Sequence, residues 1–242
     1  MRLAIAHETR YAYDSPVRYS AQYLRLTPRD TARQKVLGWK LDTPGQPVRT
    51  QDGYGNVLHV LTLDRPVSEI VIRVSGVVQT DRTLDEPSDF TGVTLPPLVF
   101  VRATALTRAD GELQKLAEGF RARSTDLAGL RELADAVRDA QPGCVPEGLT
   151  HAFLAGCRLL GVPARYVSGY LCAADGGAAL HSWAEAWIGE HWRSFDIAQG
   201  GPIGERHIKL AVGADQLDAC PIRGVRTGGG LETMSANAEA RQ

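Results

Sequence analysis

PEGLTHAFLAGCRLLGVPARYVSGYLC (146–172) is the stretch on which the fold class turns, because its periodicity changes from helical to extended within it. Leu149, Phe153, Gly156, Cys157 and Leu160 recur at three- and four-residue spacing, which is one buried stripe of a helix. Pro146 stands where that helix begins and Gly161 where it ends, the expected positions for a preset φ and for a left-handed cap. Ala164 to Cys172 then reads as a strand. Upstream, Leu113, Leu116, Ala117 and Phe120 mark a helix opened by Thr107 and Asp110 as a capping box. Leu127, Leu130, Leu133, Ala134 and Val137 mark a second helix, capped by Ser124 or Thr125. Downstream, Ser182 to Ile188, Trp192 to Ile197 and Ile208 to Val212 return to strands.

The first 80 residues show the alternation of half-buried sheet at Leu3 to Tyr13, Tyr19 to Leu26, Lys35 to Leu41, Val57 to Leu63 and Ile70 to Val78. DGYGN (52–56) reads as a hairpin loop. Residues 81–97, with Pro87, Pro96 and Pro97, read as a linker, and Met234 to Gln242 as a polar, frayed end. Strands, then helices, then strands predict an α+β protein rather than a wound parallel sheet. The units expected are an N-terminal antiparallel β-domain over 1–85 and a second unit over 98–242.

Composition excludes several classes. The chain has 242 residues, 43% hydrophobic and 23% charged, which is neither disordered nor collagenous. A net charge of −1 supplies no basic surface for nucleic acid or an acidic membrane. No run of about 18 apolar residues exists to span a bilayer. The start, MRLAIAHETRYAY, lacks the apolar core of a signal peptide, so a reducing cytoplasm is expected, with Cys144, Cys157, Cys172 and Cys220 as free thiols. Their spacing holds no CxxC pair and argues against zinc.

The chemistry-bearing geometry is the hairpin around Gly189-Glu190. His181, Trp183, Glu185 and Trp187 share one strand face. A two-residue loop pairs Ile188 with His191, which makes His181 and Asp196 diagonal neighbours on that face. A histidine oriented by a carboxylate is a general-base arrangement. Its natural partner is a thiol near a helix start, and Cys144 lies just before the helix that Pro146 begins. Cys157 falls on the helix stripe and reads as core. Cys172 and Cys220 read as structural, His151 as packing or capping, and the three tryptophans as core.

HETRYAYDSPVRYSAQYLRLTPRD (7–30), DGYGN, LLGVPARYVSGYL (159–171), HSW (181–183), FD (195–196), LAVGAD (210–215) and PIRGVRTGGGLE (221–232) occur in an order that resembles the bacterial transglutaminase-like family, a branch of the papain-like thiol enzymes. The resemblance implies a papain/transglutaminase-like core of helices on an antiparallel sheet. It also implies a Cys-His-Asp triad acting on protein or peptide amides, with no cofactor or metal. His181 and Asp196 stand at the family's histidine and aspartate. The nucleophile does not transfer: where the family reads close to G-V-C-Q-D-F-A-H, this chain reads CVPEGLTH (144–151), with Pro146 at the cysteine position and Cys144 two residues upstream. The stretch from Val137 to Gly143 is also shorter than the family's.

Three functions follow. The first is a thiol acyl-transfer enzyme with Cys144 as nucleophile, His181 as general base and Asp196 as orienter. The second is a non-catalytic relative that keeps the cleft as a peptide-binding module. The third is an interaction through the β-domain, for which residues 1–80 show no large apolar or charged block.

Overall fold

A computed structural model describes residues 1–81, 85–86 and 95–241. The strands are β1 (Arg2–Leu24), β2 (Gln34–Asp42), β3 (Val48–Gln51), β4 (Val57–Leu63), β5 (Val67–Thr80) and β6 (Asp85–Glu86), then β7 (Ala164–Cys172), β8 (Ala178–Ile188), β9 (His191–Phe195), β10 (His207–Gly213), β11 (Ile222–Gly228) and β12 (Glu232–Arg241). The helices are α1 (Gly111–Glu118), α2 (Leu127–Ala140), α3 (Pro146–Leu159) and the short α4 (Gln216–Ala219). Two antiparallel sheets and a helical layer make the fold α+β. Most of the linker expected at 81–97 lies outside the described residues.

The first sheet runs β2-β5-β1-β4-β3, with β11 and β12 also on β1. Two strands expected at Leu3–Tyr13 and Tyr19–Leu26 are one long strand, whose pairing shifts register across Asp14 to Pro16. Its first half lies between β5 and β12, its second between β4 and β11. The frayed end expected at Met234–Gln242 is therefore wrong: residues up to Arg241 form β12 along Ala4 to Tyr13. The small side chains of this segment hide an alternation that only its partner strand reveals, and Ala240 is buried. The 98–242 segment thus divides in space, its last two strands belonging to the first sheet.

The second sheet runs β10-β7-β8-β9-β6. Ala164, Tyr166, Ala184, Ala186 and Phe195 on one face pack against α2 and α3 in the larger helical core. Helix α3 begins on Pro146 and ends in a Schellman motif: Val162 N–H donates to Cys157 O, Gly161 N–H donates to Arg158 O, and Gly161 takes φ +76°. Two cap assignments change. Thr107 forms a box with Thr104 around a 3-10 turn, and Asp110 alone caps α1 by accepting from Leu113 N–H. Asp126, not Ser124 or Thr125, caps α2, because Arg121–Arg123 already form a 3-10 turn.

Side-chain amides fasten one sheet to the other. Gln34 both donates to and accepts from the Lys209 backbone at 2.8 Å. Asn56 does the same to Val212 at 2.7 and 2.8 Å. These two residues pair backbone groups on the outer edge of β10, which would otherwise be orphaned. Asp52 organises the DGYGN turn, accepting from Tyr54 N–H, Asn56 N–H and Arg25 Nε.

Candidate active site

The Gly189-Glu190 turn has φ of +56° and +65°, the two-residue form that matches strand twist, and Ile188 pairs with His191. That register carries Asp196, just beyond β9, onto the face of His181. His181 Nε2 lies 2.7 Å from Asp196 Oδ2, with both residues buried. Asp196 Oδ1 accepts from Gln199 N–H at 3.0 Å. The turn that follows returns Asp196 O to Gly200 N–H and Asp196 N–H to Gly201 O.

A third member, His207 at the head of β10, was not among the expected residues. Its Nε2 lies 2.9 Å from the same Oδ2, and its Nδ1 accepts from Gly204 N–H at 3.1 Å. That backbone donor puts the neutral ring's proton on Nε2, so His207 donates to Asp196. Burial alone would raise the Asp196 pKa, but the hydrogen bonds from His181 and His207 outweigh it and hold the carboxyl well below the usual range. No local signal marks His207, because β10 pairs with β7 and meets Asp196 only through the folded sheet.

The ligating atoms of His181, Asp196 and His207 lie within 4.8 Å of one another, a spacing that invites a metal. The second layer opposes it. A metal on His207 Nε2 would force the ring proton onto Nδ1, where Gly204 N–H already points. The arrangement is a hydrogen-bonded carboxylate, not a ligand set.

His181 opens onto a cavity of about 220 Å³ between the two sheets. Glu147 of α3, Tyr166 of β7 and Ser182 of β8 line it, and the first sheet closes it with Tyr11 and Met234. Cys144 does not line it. The Gln141–Cys144 turn closes on Cys144 N–H to Gln141 O, with Gly143 at φ +78°. The thiol then packs over Gly148, where a Cβ would collide with Sγ, and against the helical core. Gly148 lies about 100° around the helix from Glu147. The face turned to β8 carries Pro146 and Thr150: Thr150 Oγ1 donates to Pro146 O at 2.8 Å and lies 3.3 Å from Ser182 Oγ. The structure brings His181 and Asp196 together, and Cys144 does not line the cavity that His181 lines.

The other thiols have structural surroundings. Cys157 is fully buried, and burial raises its pKa. Burial pushes Cys172 up to about 11. Cys220 lines the cavity, but its thiol donates to Ile222 O and burial raises its pKa. His151 stacks on Tyr166 at 5.1 Å and accepts from Gln216 N–H. Below the site, Glu185 is buried between Arg165, at 2.6 Å, and Lys209, at 2.5 Å.

Sequence comparison adds two family matches. Residues 3–79 match the bacterial transglutaminase-like N-terminal region, and residues 106–197 match the transglutaminase-like superfamily. The second match ends before His207. An uncharacterized protein of Mycobacterium leprae is 27% identical over 274 aligned positions, covering 98% of each chain. An uncharacterized protein of Mycobacterium tuberculosis is 25% identical, covering 93% of this chain and 87% of its own. Among solved structures, "a Putative Cysteine Protease from Cytophaga hutchinsonii" superposes with a TM-score of 0.75 at 19% identity, over 100% of this chain and 90% of that one. At that identity the likeness is one of fold. No described helix is long and apolar enough to cross a membrane.

Proposed function

The chain belongs to the bacterial transglutaminase-like family, and from that premise we propose that it is a peptide-binding member which does not form a thiol acyl intermediate. One observation carries the reading. The α3 residue that lines the cavity with His181 is Glu147, Pro146 stands beside it at the head of the helix, and the upstream thiol, Cys144, does not line the cavity but packs over Gly148. Proline offers no nucleophile and no N–H. What the cavity retains is an imidazole held by a carboxylate and a second carboxylate at Glu147. These groups can hydrogen-bond a side-chain amide without breaking it.

The alternative, acyl transfer by Cys144, draws on the intact His181–Asp196 pair. It requires the Cys144 sulfur, which packs over Gly148, to reach the His181 ring. Thiolate attack on an amide carbon would then expel the amine, with His181 supplying its proton.

A capped tripeptide, acetyl-Ala-Gln-Ala-amide, tests the reading by NMR and intact mass. The expected result is perturbation of the His181 ring signals, unchanged in Cys144→Ala and reduced about tenfold in affinity in Glu147→Ala. A Cys144 acyl adduct, or release of ammonia that Cys144→Ala abolishes, would establish the alternative. No perturbation of His181 would overturn the binding reading.

A further inference from the structure

We propose a second binding site, in the first sheet and separate from the His181 cavity, that takes the C-terminal end of a peptide. The curl of this sheet brings its two edges, β2 and β3–β4, toward one another. Between them and the Thr27–Ala32 loop lies a groove of about 1140 Å³. Its floor is apolar, with Trp39 and Leu41 from β2 and Val57 from β4. Its polar groups include two guanidinium groups and an imidazole, Arg29, Arg49 and His59, with the neutral Thr27, Thr31 and Gln46 and one carboxylate, Asp30.

The groove is built rather than loose. Trp39 Nε1 donates to Leu26 O at 2.9 Å, which fixes the indole plane. Thr31 Oγ1 accepts from Arg33 and Gln34 N–H, and Gln34 Nε2 donates to Arg29 O. Asp30, the one acidic residue on the wall, has Oδ1 engaged by Val36 N–H. The Arg29 guanidinium donates to Gly55 O, which anchors that side of the groove. Walls held this way do not have to be ordered when a ligand arrives.

Two residues mark where an anion would sit. Arg49 and His59 are directly opposed across the β3–β4 pair. Arg49 is exposed and makes no ion pair among the described residues. His59 is 9% exposed, its Nδ1 is buried without a partner, and no other hydrogen bond satisfies its ring among the described residues. A buried imidazole left unpartnered carries a cost that a ligand's acceptor at the ring would relieve. Burial and the neighbouring Arg49 charge both lower its pKa, so the ring is neutral beside a guanidinium. A carboxylate on Arg49 and His59 suits that pairing. The volume exceeds that of a single small ligand, and the apolar floor suits side chains extending from the carboxylate. A terminal carboxylate with a few apolar residues combines these features.

Isothermal titration of the full chain with acetyl-Ala-Val-Xaa peptides (Xaa being Leu, Phe or Val) tests this, each as the free acid and as the C-terminal amide. The expected result is one-to-one binding of at least one free acid, with its amide about tenfold weaker or more. Arg49→Gln, a surface change that leaves folding intact, should bring the acid to the level of the amide. Glu147→Ala should leave it unchanged, which separates this groove from the His181 cavity. Equal binding of acid and amide, insensitivity to Arg49→Gln, or no binding of any acid would each overturn the proposal.

Discussion

Asp196 accepts two imidazole N–H groups on one oxygen and a backbone N–H on the other. Its depressed pKa gives a stability contribution that is complete above the unfolded carboxylate value of about 3.9 and is lost as pH falls through the lower folded value. Burial lowers the pKa of His7, and that of His151 as well, which acts in a higher window. There the unfolded chain takes up protons below about pH 6.5 that the folded chain refuses, so stability also falls with acid. Urea unfolding across pH should therefore show two declines. Asp196→Asn should shrink the lower one, leave the upper one in place and cost about 3 kcal/mol at neutral pH, because it weakens charge-assisted bonds to buried donors. An unchanged acid limb in that variant would contradict the arrangement. At this scale the sequence was legible where geometry is local. Strand parity and a two-residue turn suffice to place His181 against Asp196. Neither could place His207, which arrives from another strand, nor the direction of the Cys144 thiol, which depends on how Gly143 turns the chain.

β12 joins the end of the chain to its beginning. The strand runs beside the first half of β1, and its Met234 and Ala236 form part of the cavity wall. Deleting residues 232–242 should strip one side of β1 from Ala4 to Tyr13, costing about 3 kcal/mol and lowering Tm by about 10 °C. Amide exchange at those β1 residues should accelerate together, and binding in the His181 cavity should weaken. Unchanged exchange along β1 would contradict the pairing. Helix α3 was legible because Pro146, the apolar stripe and Gly161 are all local signals. β12 was not, because Ser235, Ala236, Asn237 and Ala238 carry little hydrophobic contrast and their meaning rests on a strand more than two hundred residues away. The helix caps failed for a related reason, since a 3-10 turn before each helix moves the first helical residue past the cap that composition favours.

Across the whole molecule, the two sheets share one purpose in building the cavity. Gln34, Asn56 and the Tyr54 hydroxyl, which donates to Asp218 at 2.6 Å, tie the first sheet to the elements around the site. DGYGN was legible as a turn but not as a clamp, because its partners Val212 and Asp218 are distant in sequence. The groove carrying Arg49 and His59 could not be read from residues 1–80, where no block of charge appears; it arises from the curl of the sheet. The central claim is that this assembly holds a ligand without a reactive thiol, and native alkylation tests it on the whole chain. Iodoacetamide at neutral pH should modify the folded protein slowly, with Cys144 labelled at the rate of an ordinary thiol and equally in His181→Ala. Rapid, selective labelling of Cys144 that His181→Ala abolishes would contradict the account and restore the thiol enzyme.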